Sequence, residues 1–347
     1  MRPRMRLVTL LALTFLAAWP GGANAAEDAQ LYDAAKKAGE TEITWYETHY
    51  RTEAAERIAQ AFQTKYPGIK VNVFNSTAAV PFQRISQDLK AGAPQADIYS
   101  STDASHLVTL KSQGHLQKYV PENIGKAVEA VRRLNDREGY YLMTFAGLVT
   151  LTYNTDKVKA DQVPKNWTDL YDRKWLEKVT IGSPNYSGTV GVWSVLMKRL
   201  YGMEFFDKLA ANKPLVGRSV DDALIHLNSG ERQIAAGDPA STSRSKARGN
   251  PLGISYPTDG ALLLVGPTGV LKDAKHPNTA KLFVHFLLGP ETAQSVVADF
   301  EQSVSVDAPP PPSGRPLKDI KTASVSVDEI VKELPGIKEK WRALFGN

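Results

Sequence analysis

Apolar positions along this chain switch repeatedly between a period of two and a period near 3.6, always in the same order. After a short helix over Leu31 to Lys37, Glu42-Ile43-Thr44-Trp45-Tyr46 alternates as a strand does. Glu53 to Tyr66 then sets Ala54, Ile58, Ala61 and Phe62 at helical spacing, and Pro67-Gly68 stops it ahead of the β-rich Ile69 to Phe74. A helix over Phe82 to Lys90, a turn at Ala91 to Pro94, the strand Ala96 to Tyr99 and a helix from Ala104 to Gln113 continue the series. Strands alternating with helices predict parallel β-α-β units.

The middle of the chain restarts this grammar. Tyr141 to Thr144 and Thr150 to Tyr153 read as two strands around Gly147, and here we place the first crossing between lobes. Trp167 to Leu170 starts a short helix, Val179 to Gly182 is a strand, and a long helix runs from Ser187-Gly188-Thr189 to Tyr201. Val220 to Ser229 as helix and Gln233 to Gly237 as strand complete a second unit, and Leu262 to Val265 with the helix Asn278 to Leu288 returns to the first. A stiff Pro309 to Pro312 spacer precedes Val327 to Phe345, read as one or two helices broken at Pro335-Gly336. The expected fold is α/β and two-lobed, each lobe a mostly parallel sheet with flanking helices around a cleft. Lobe 1 is expected from 26–146 and 260–305, lobe 2 from 147–259 and 306–347.

Four features narrow the class. Arg2, Arg4 and Arg6 lead into the apolar run Leu7 to Trp19, and Ala23-Asn24-Ala25 offers a cleavage site. Those are the parts of an export signal, too short for a spanning helix, so a mature, soluble periplasmic chain is expected to start near Ala26. Of 42 Lys and Arg residues, those three belong to the leader, which leaves the rest nearly balanced by 37 Asp and Glu and removes the electrostatic case for a nucleic-acid partner. With no Cys anywhere, disulfides, thiol chemistry and Cys-based metal sites are excluded. The remaining length, about 320 residues, exceeds what a single core usually supports, so two domains are the default.

Several segments, in order and spacing, resemble the ferric-ion-binding branch of type II periplasmic solute-binding proteins, the capture subunits of ABC importers. They are Ile43-Thr44-Trp45-Tyr46, Ala96 through Ser101, Leu151 through Thr155, Trp167 through Leu170, Pro184 through Gly188, and Asp259 through Val284. The resemblance implies two lobes that close on a small ligand and deliver it to an inner-membrane permease, with no cofactor and no reaction, as a monomer. It also implies site positions at strand ends: Glu47, Thr48 and His49 after the first strand, Ser101, Thr102 and Asp103 after the Ala-Asp strand, and Tyr256 ahead of the return crossing.

This chain departs from the iron-binding pattern where the metal would sit. Ala240-Ser241 stands at the family's paired tyrosines and Thr102 at its glutamate, so the anionic oxygens a hard cation needs are missing. The matching part is an anion cradle. Ser187-Gly188-Thr189 opens a helix, where unpaired amides and the positive helix end favour phosphate or carboxylate. Arg218-Ser219 adds a cation able to grip an oxyanion, and Asp238 aligns beside it, which implies a guest that also carries an amine or hydroxyl. The expected solute is a small organic anion such as a phosphonate, phosphate ester or carboxylate.

Each residue has a plainer reading: Ser187, Thr102 and Asp103 as helix caps, Arg218 and Asp238 as a mutual pair, Tyr256 as hinge packing. Three other functions compete. One is a ferric iron or other metal carrier. Another is an exported serine hydrolase using Ser187 or Ser241 with His49, for which neither serine has a G-x-S-x-G elbow. The third is a co-receptor presenting ligand to a membrane sensor.

Overall fold

The computed structural model describes residues 24–346. The export leader read at residues 1–25 lies, but for its last two positions, outside the described residues. Among those residues eleven strands are formed: β1 (Glu42–Glu47), β2 (Lys70–Asn75), β3 (Ile98–Ser100), β4 (Leu116–Gln117), β5 (Leu142–Asn154), β6 (Val179–Ile181), β7 (Leu215–Val216), β8 (Ile234–Gly237), β9 (Leu252–Ser255), β10 (Ala261–Leu271) and β11 (Thr322–Ala323). The α-helices are α1 (Asn24–Lys37), α2 (Thr52–Lys65), α3 (Ala79–Lys90), α4 (Ala104–Ser112), α5 (Glu129–Arg132), α6 (Gly188–Tyr201), α7 (Glu204–Ala211), α8 (Val220–Asn228), α9 (Pro239–Ala247), α10 (Pro277–Leu287), α11 (Pro290–Ala298) and α12 (Val327–Phe345).

The strands follow the order β2-β1-β3-β10-β5-β8-β6-β7. β1 runs parallel to both β2 and β3, and β6 parallel to both β7 and β8, as strand–helix alternation requires. Joining the two parallel sets are long antiparallel strands, β5 and β10, paired from Leu262↔Val149 to Thr268↔Leu142. β5 then continues past β10 to pair with β8 and β9. It is the element common to both halves.

Two cores flank that ribbon. One gathers Ile43, Trp45, Ile58, Phe62, Phe283 and Phe286 around β1, α2 and α10. The other gathers Trp167, Trp193, Phe205, Phe206, Ile337 and Trp341 around α6, α7 and α12. A third cluster, with Val128, Val131, Met143, Ala146, Leu263, Val304 and Leu317, packs on the ribbon itself.

Three elements differ from the sequence expectation. The two strands around Gly147 are one strand of 13 residues, because Gly147 keeps its partner Leu264 on β10 and the pairing runs through it, with a register shift only further along, at Gly266/Pro267. The break at Pro335-Gly336 does not occur and α12 runs unbroken. Pro335 cannot donate to the carbonyl of Val331, but Val331 is 69 % exposed, so the freed carbonyl faces water while Ile337 and Trp341 hold the inner face. The short helix at Trp167 is a 3-10 turn, Trp167–Tyr171, closed by a capping box between Asn166 and Asp169.

Candidate functional site

Strand register positions the site. β3 ends at Ser100, opposite Thr268 of β10, which in turn pairs with Leu142 of β5. β8 ends at Gly237, opposite Thr150 of β5, and it runs the other way along β5. The carboxyl ends of the two parallel sets therefore point at each other across the β5 stretch from Leu142 to Thr150, roughly 25 Å of strand. Carboxyl ends of open α/β sheets are where ligands bind, and here two such edges are opposed.

The first-lobe edge is built largely inward. Glu47, at the end of β1, is fully buried; one carboxylate oxygen accepts the amides of His49 and Tyr50 (2.7 Å for Tyr50), and the other has no partner. Burial pushes its pKa well above the ordinary carboxylate value. His49 is 8 % exposed, stacked on Phe145 at 5.2 Å and edge-on to Tyr50 at 5.9 Å. Its ring nitrogens make no hydrogen bond of ordinary geometry, although the Ser101 backbone lies near enough to oppose the shift. Burial holds its pKa down at about 4, so the ring is neutral at physiological pH. Ser101 is likewise buried, its hydroxyl taking the Tyr99 hydroxyl (3.2 Å) and the Asp103 amide (3.1 Å) and touching His106 Nδ1 (3.1 Å). Glu47, His49 and Ser101 thus lie beneath the cleft surface, where they shape the loops in place of facing a guest.

What remains outward on this edge is a pair of threonines. Thr48 Oγ1 accepts the Thr102 amide at 2.8 Å, with the two hydroxyls 3.3 Å apart, tying the loops after β1 and β3 together. Asp103 is exposed, but it caps α4 by accepting the Ser105 amide (2.9 Å) and hydroxyl (2.6 Å).

The second-lobe edge is built outward. Ser187 caps α6 through the Val190 amide at 3.3 Å, and Gly191 is the first amide to reach a helical carbonyl, that of Ser187 at 2.9 Å. The amides of Gly188 and Thr189 therefore precede the helical ladder, and Gly188 is exposed. Beside them Tyr186 is 60 % exposed, and the Arg218 guanidinium lies over its ring at 5.5 Å. Arg218 itself is exposed and makes no ion pair among the described residues; only its backbone amide is engaged, by Asp222 at 2.7 Å. Ser219 caps α8 through the Asp221 (3.2 Å) and Asp222 (3.3 Å) amides. The α6 and α8 starts are close because Gly182 leaves no room for a Cβ, which would meet the Ser219 backbone carbonyl carbon at 2.8 Å. A groove of about 320 Å³ runs from Arg218 and Tyr186 along the β7 edge.

So Ser187, Gly188, Thr189, Arg218 and Ser219 come together on one face, as Thr48 and Thr102 do opposite. Asp238 and Tyr256 do not join them. Asp238 caps α9, accepting the Ala240 (3.1 Å) and Ser241 (3.0 Å) amides, and faces Arg244 at 3.8 Å. Its charge is answered within the protein, so the inference of an amine or hydroxyl on the guest loses its basis. Tyr256 packs on the ribbon cluster and accepts the Arg315 amide at 3.1 Å, with that guanidinium over its ring at 5.1 Å. Arg244 was not legible as a site residue, since its partners Asp299 and Glu301 lie more than fifty positions downstream. Neither Ser187, a cap, nor Ser241, held by Arg244 at 3.1 Å, is hydrogen-bonded to His49. Among the described residues no three His, Cys, Asp or Glu side chains cluster so as to hold a metal, and no helix is long and apolar enough to cross a membrane.

Two sheets with opposed carboxyl edges, joined by strands that pass from one to the other, define a two-lobed solute-binding protein. The chain belongs to the bacterial extracellular solute-binding protein family, whose profile spans residues 93–326. It is 24 % identical over 197 residues to a probable ABC transporter periplasmic-binding protein of Sinorhizobium fredii, covering 54 % of this chain and about half, 53 %, of that relative. Iron-bound HitA from Pseudomonas aeruginosa has the same fold, with a TM-score of 0.71 at 23 % identity over 88 % of this chain and 99 % of its own. So has AfuA from Actinobacillus pleuropneumoniae with fructose-6-phosphate bound, with a TM-score of 0.66 at 21 % identity over 88 % of this chain and 98 % of its own. As a binding protein of the ABC-importer class, the chain works with a membrane permease.

Proposed function

We propose that this chain captures a small organic anion, a phosphate ester, phosphonate or carboxylate, between the start of α6 and Arg218, and closes its lobes on it. One observation carries the reading: Arg218 is an exposed guanidinium without a carboxylate partner among the described residues, set beside the open amides of a 14-residue helix. The helix dipole alone contributes about 0.3–1 kcal/mol, so charge-assisted hydrogen bonds of about 1.5–3 kcal/mol each must supply most of the affinity. Thr48 and Thr102 would offer their hydroxyls to the guest from the opposite edge. The sugar phosphate bound by AfuA supports a phosphorylated guest. The iron bound by HitA favours the metal reading instead, which Ala240-Ser241 would oppose if, as the resemblance implies, they stand at the tyrosine positions.

The hinge in this reading is the stretch of β5 and β10 between the two edges. We place 26–146 and 260–305 in the first lobe and 147–259 in the second, with the final segment joining the second lobe from β11 onward, since Leu317 and Ile320 pack beside Val128 and Val131. The test is a thermal-shift panel of sugar phosphates, phosphonates, carboxylates and ferric citrate, followed by titration of the best ligand. Arg218→Ala should weaken an anion by about 2 kcal/mol, near 30-fold. An unchanged dissociation constant would remove Arg218 from the site, and a visible phenolate-to-iron band would restore iron.

A further inference from the structure

One edge of β5 carries a gap between the lobes. Gly237 of β8 pairs with Thr150, and the next backbone bridge toward the first lobe is Gln302 to Ala146. Arg244 of α9 fills that gap. The helix belongs to the second lobe, where it packs on β5, β9 and α8. Its guanidinium donates to the Asp299 carbonyl at 2.8 Å and to Glu301 Oε1 at 3.1 Å, while the Asp299 and Asp238 carboxylates stand 3.7 and 3.8 Å away.

Asp299 and Glu301 are anchored on the other side. They follow α11, which packs on α2, and the Asp299 carboxylate pairs with Arg57 of α2 at 3.1 Å and with Arg51, just before it, at 3.7 Å. Phe300 between them has φ 68°, a left-handed conformation that lets the carbonyl before it and the carboxylate after it converge on one guanidinium. Side-chain exposures are 15 % for Arg244, 12 % for Asp299 and 17 % for Glu301, so water screens these charges poorly. The cluster holds three arginines and three carboxylates.

We propose that Arg244 is a latch between the lobes: its engagement with Asp299 and Glu301 holds the hinge at one angle, and its release lets the lobes part. This rests on the two-lobed capture reading above and adds a control on the hinge that the guest does not touch. Glu301 makes the latch sensitive to pH. It faces Asp238 and Arg244 from α9, Asp299 on its own segment and Tyr50 from the loop after β1, with Arg51 and Arg57 acting through Asp299. Burial first, then the Asp238 charge, raises its carboxyl to about 7 against the pull of Arg244. A solvated carboxyl titrates near its ordinary value, so the engaged form binds the proton more tightly. Engagement is therefore favoured as pH falls below about 7 and is lost as pH rises through it.

The absence of cysteine allows a clean test. Cysteines placed at Val80 and Ile225, which are 44 % and 63 % exposed on α3 and α8, carry spin labels whose separation is read by pulsed electron resonance in the full chain with no solute added. The parent should give one narrow distance at pH 5.5 and a broadened or displaced one at pH 8.5. Glu301→Gln should stay narrow at both, and Arg244→Gln should be broad at both. A folded Arg244→Gln with the parent's distribution overturns the latch. Should that variant fail to fold, a parent that does not respond to pH, or a Glu301→Gln variant that still does, overturns it. Because no solute enters the measurement, failure here leaves anion capture standing, and failure of anion capture leaves the latch standing.

Discussion

Gly266 and His49 offer a two-residue test of how the hinge is packed. Gly266 sits on β10 where the pairing with β5 shifts register before Pro267, and the space its Cβ would occupy already holds the His49 imidazole. The Gly266 backbone lies outside the left-handed region, so an alanine there is free of φ strain and meets only the steric conflict. Overpacking of this kind costs about 1–3 kcal/mol, while a tolerated Gly→Ala change stabilises by about 0.4–1 kcal/mol through the unfolded chain. Gly266→Ala should therefore destabilise the parent by about 1–2 kcal/mol. In a His49→Ala background, which empties that space, the same change should stabilise by about 0.5 kcal/mol, a coupling of about 2 kcal/mol. Urea unfolding followed by tryptophan fluorescence gives each free energy by linear extrapolation. Equal costs in both backgrounds would mean that His49 does not lie against Gly266, and its reading as a packed, inward residue would fall.

Two further outcomes follow from buried groups. His49 is held neutral by burial, with its pKa lowered to about 4, so the folded state takes up this proton later than the unfolded chain does. Stability should fall as pH drops from about 6.5 toward 4, by at most roughly 3 kcal/mol from this group, and His49→Leu should flatten that part of a melting-temperature profile; an identical acid slope in the variant would contradict the assignment. Trp341 is fully buried with its ring 6.0 Å from Phe206 and 4.6 Å from Phe345, so Trp341→Ala should cost about 3–5 kcal/mol in denaturant unfolding. A loss under about 1 kcal/mol would show that α12 does not anchor the second core.

Legibility followed the range of the interactions involved. β1, α2 and β2 were readable because Ile43, Trp45, Ile58 and Phe62 obey local periods that a single core satisfies. The unity of β5 was hidden by Gly147, which reads locally as a strand break, whereas its pairing with Leu264 of the distant β10 carries the strand through it. The passage of α12 through Pro335 depends on which face is solvated, a tertiary fact. In the site, the caps Ser187 and Asp103 were visible because capping is local. The inward turn of His49 was not, since it takes Phe145 and Gly266 from distant strands to enclose it. Arg244 escaped notice for the same reason: on a short helix of small polar residues it looks like a surface cation until Asp299 and Glu301 arrive.

The central claim is that the free amides at the start of α6, with Arg218, hold the guest's negative charge. It is tested most directly by amide proton–nitrogen NMR of the intact protein, titrated with fructose-6-phosphate or whichever anion of the panel raises the melting temperature most. The account predicts that the Gly188 and Thr189 resonances move with the binding isotherm, and that Arg218→Ala weakens that movement about 30-fold. Saturable binding that leaves both amides in place would contradict it.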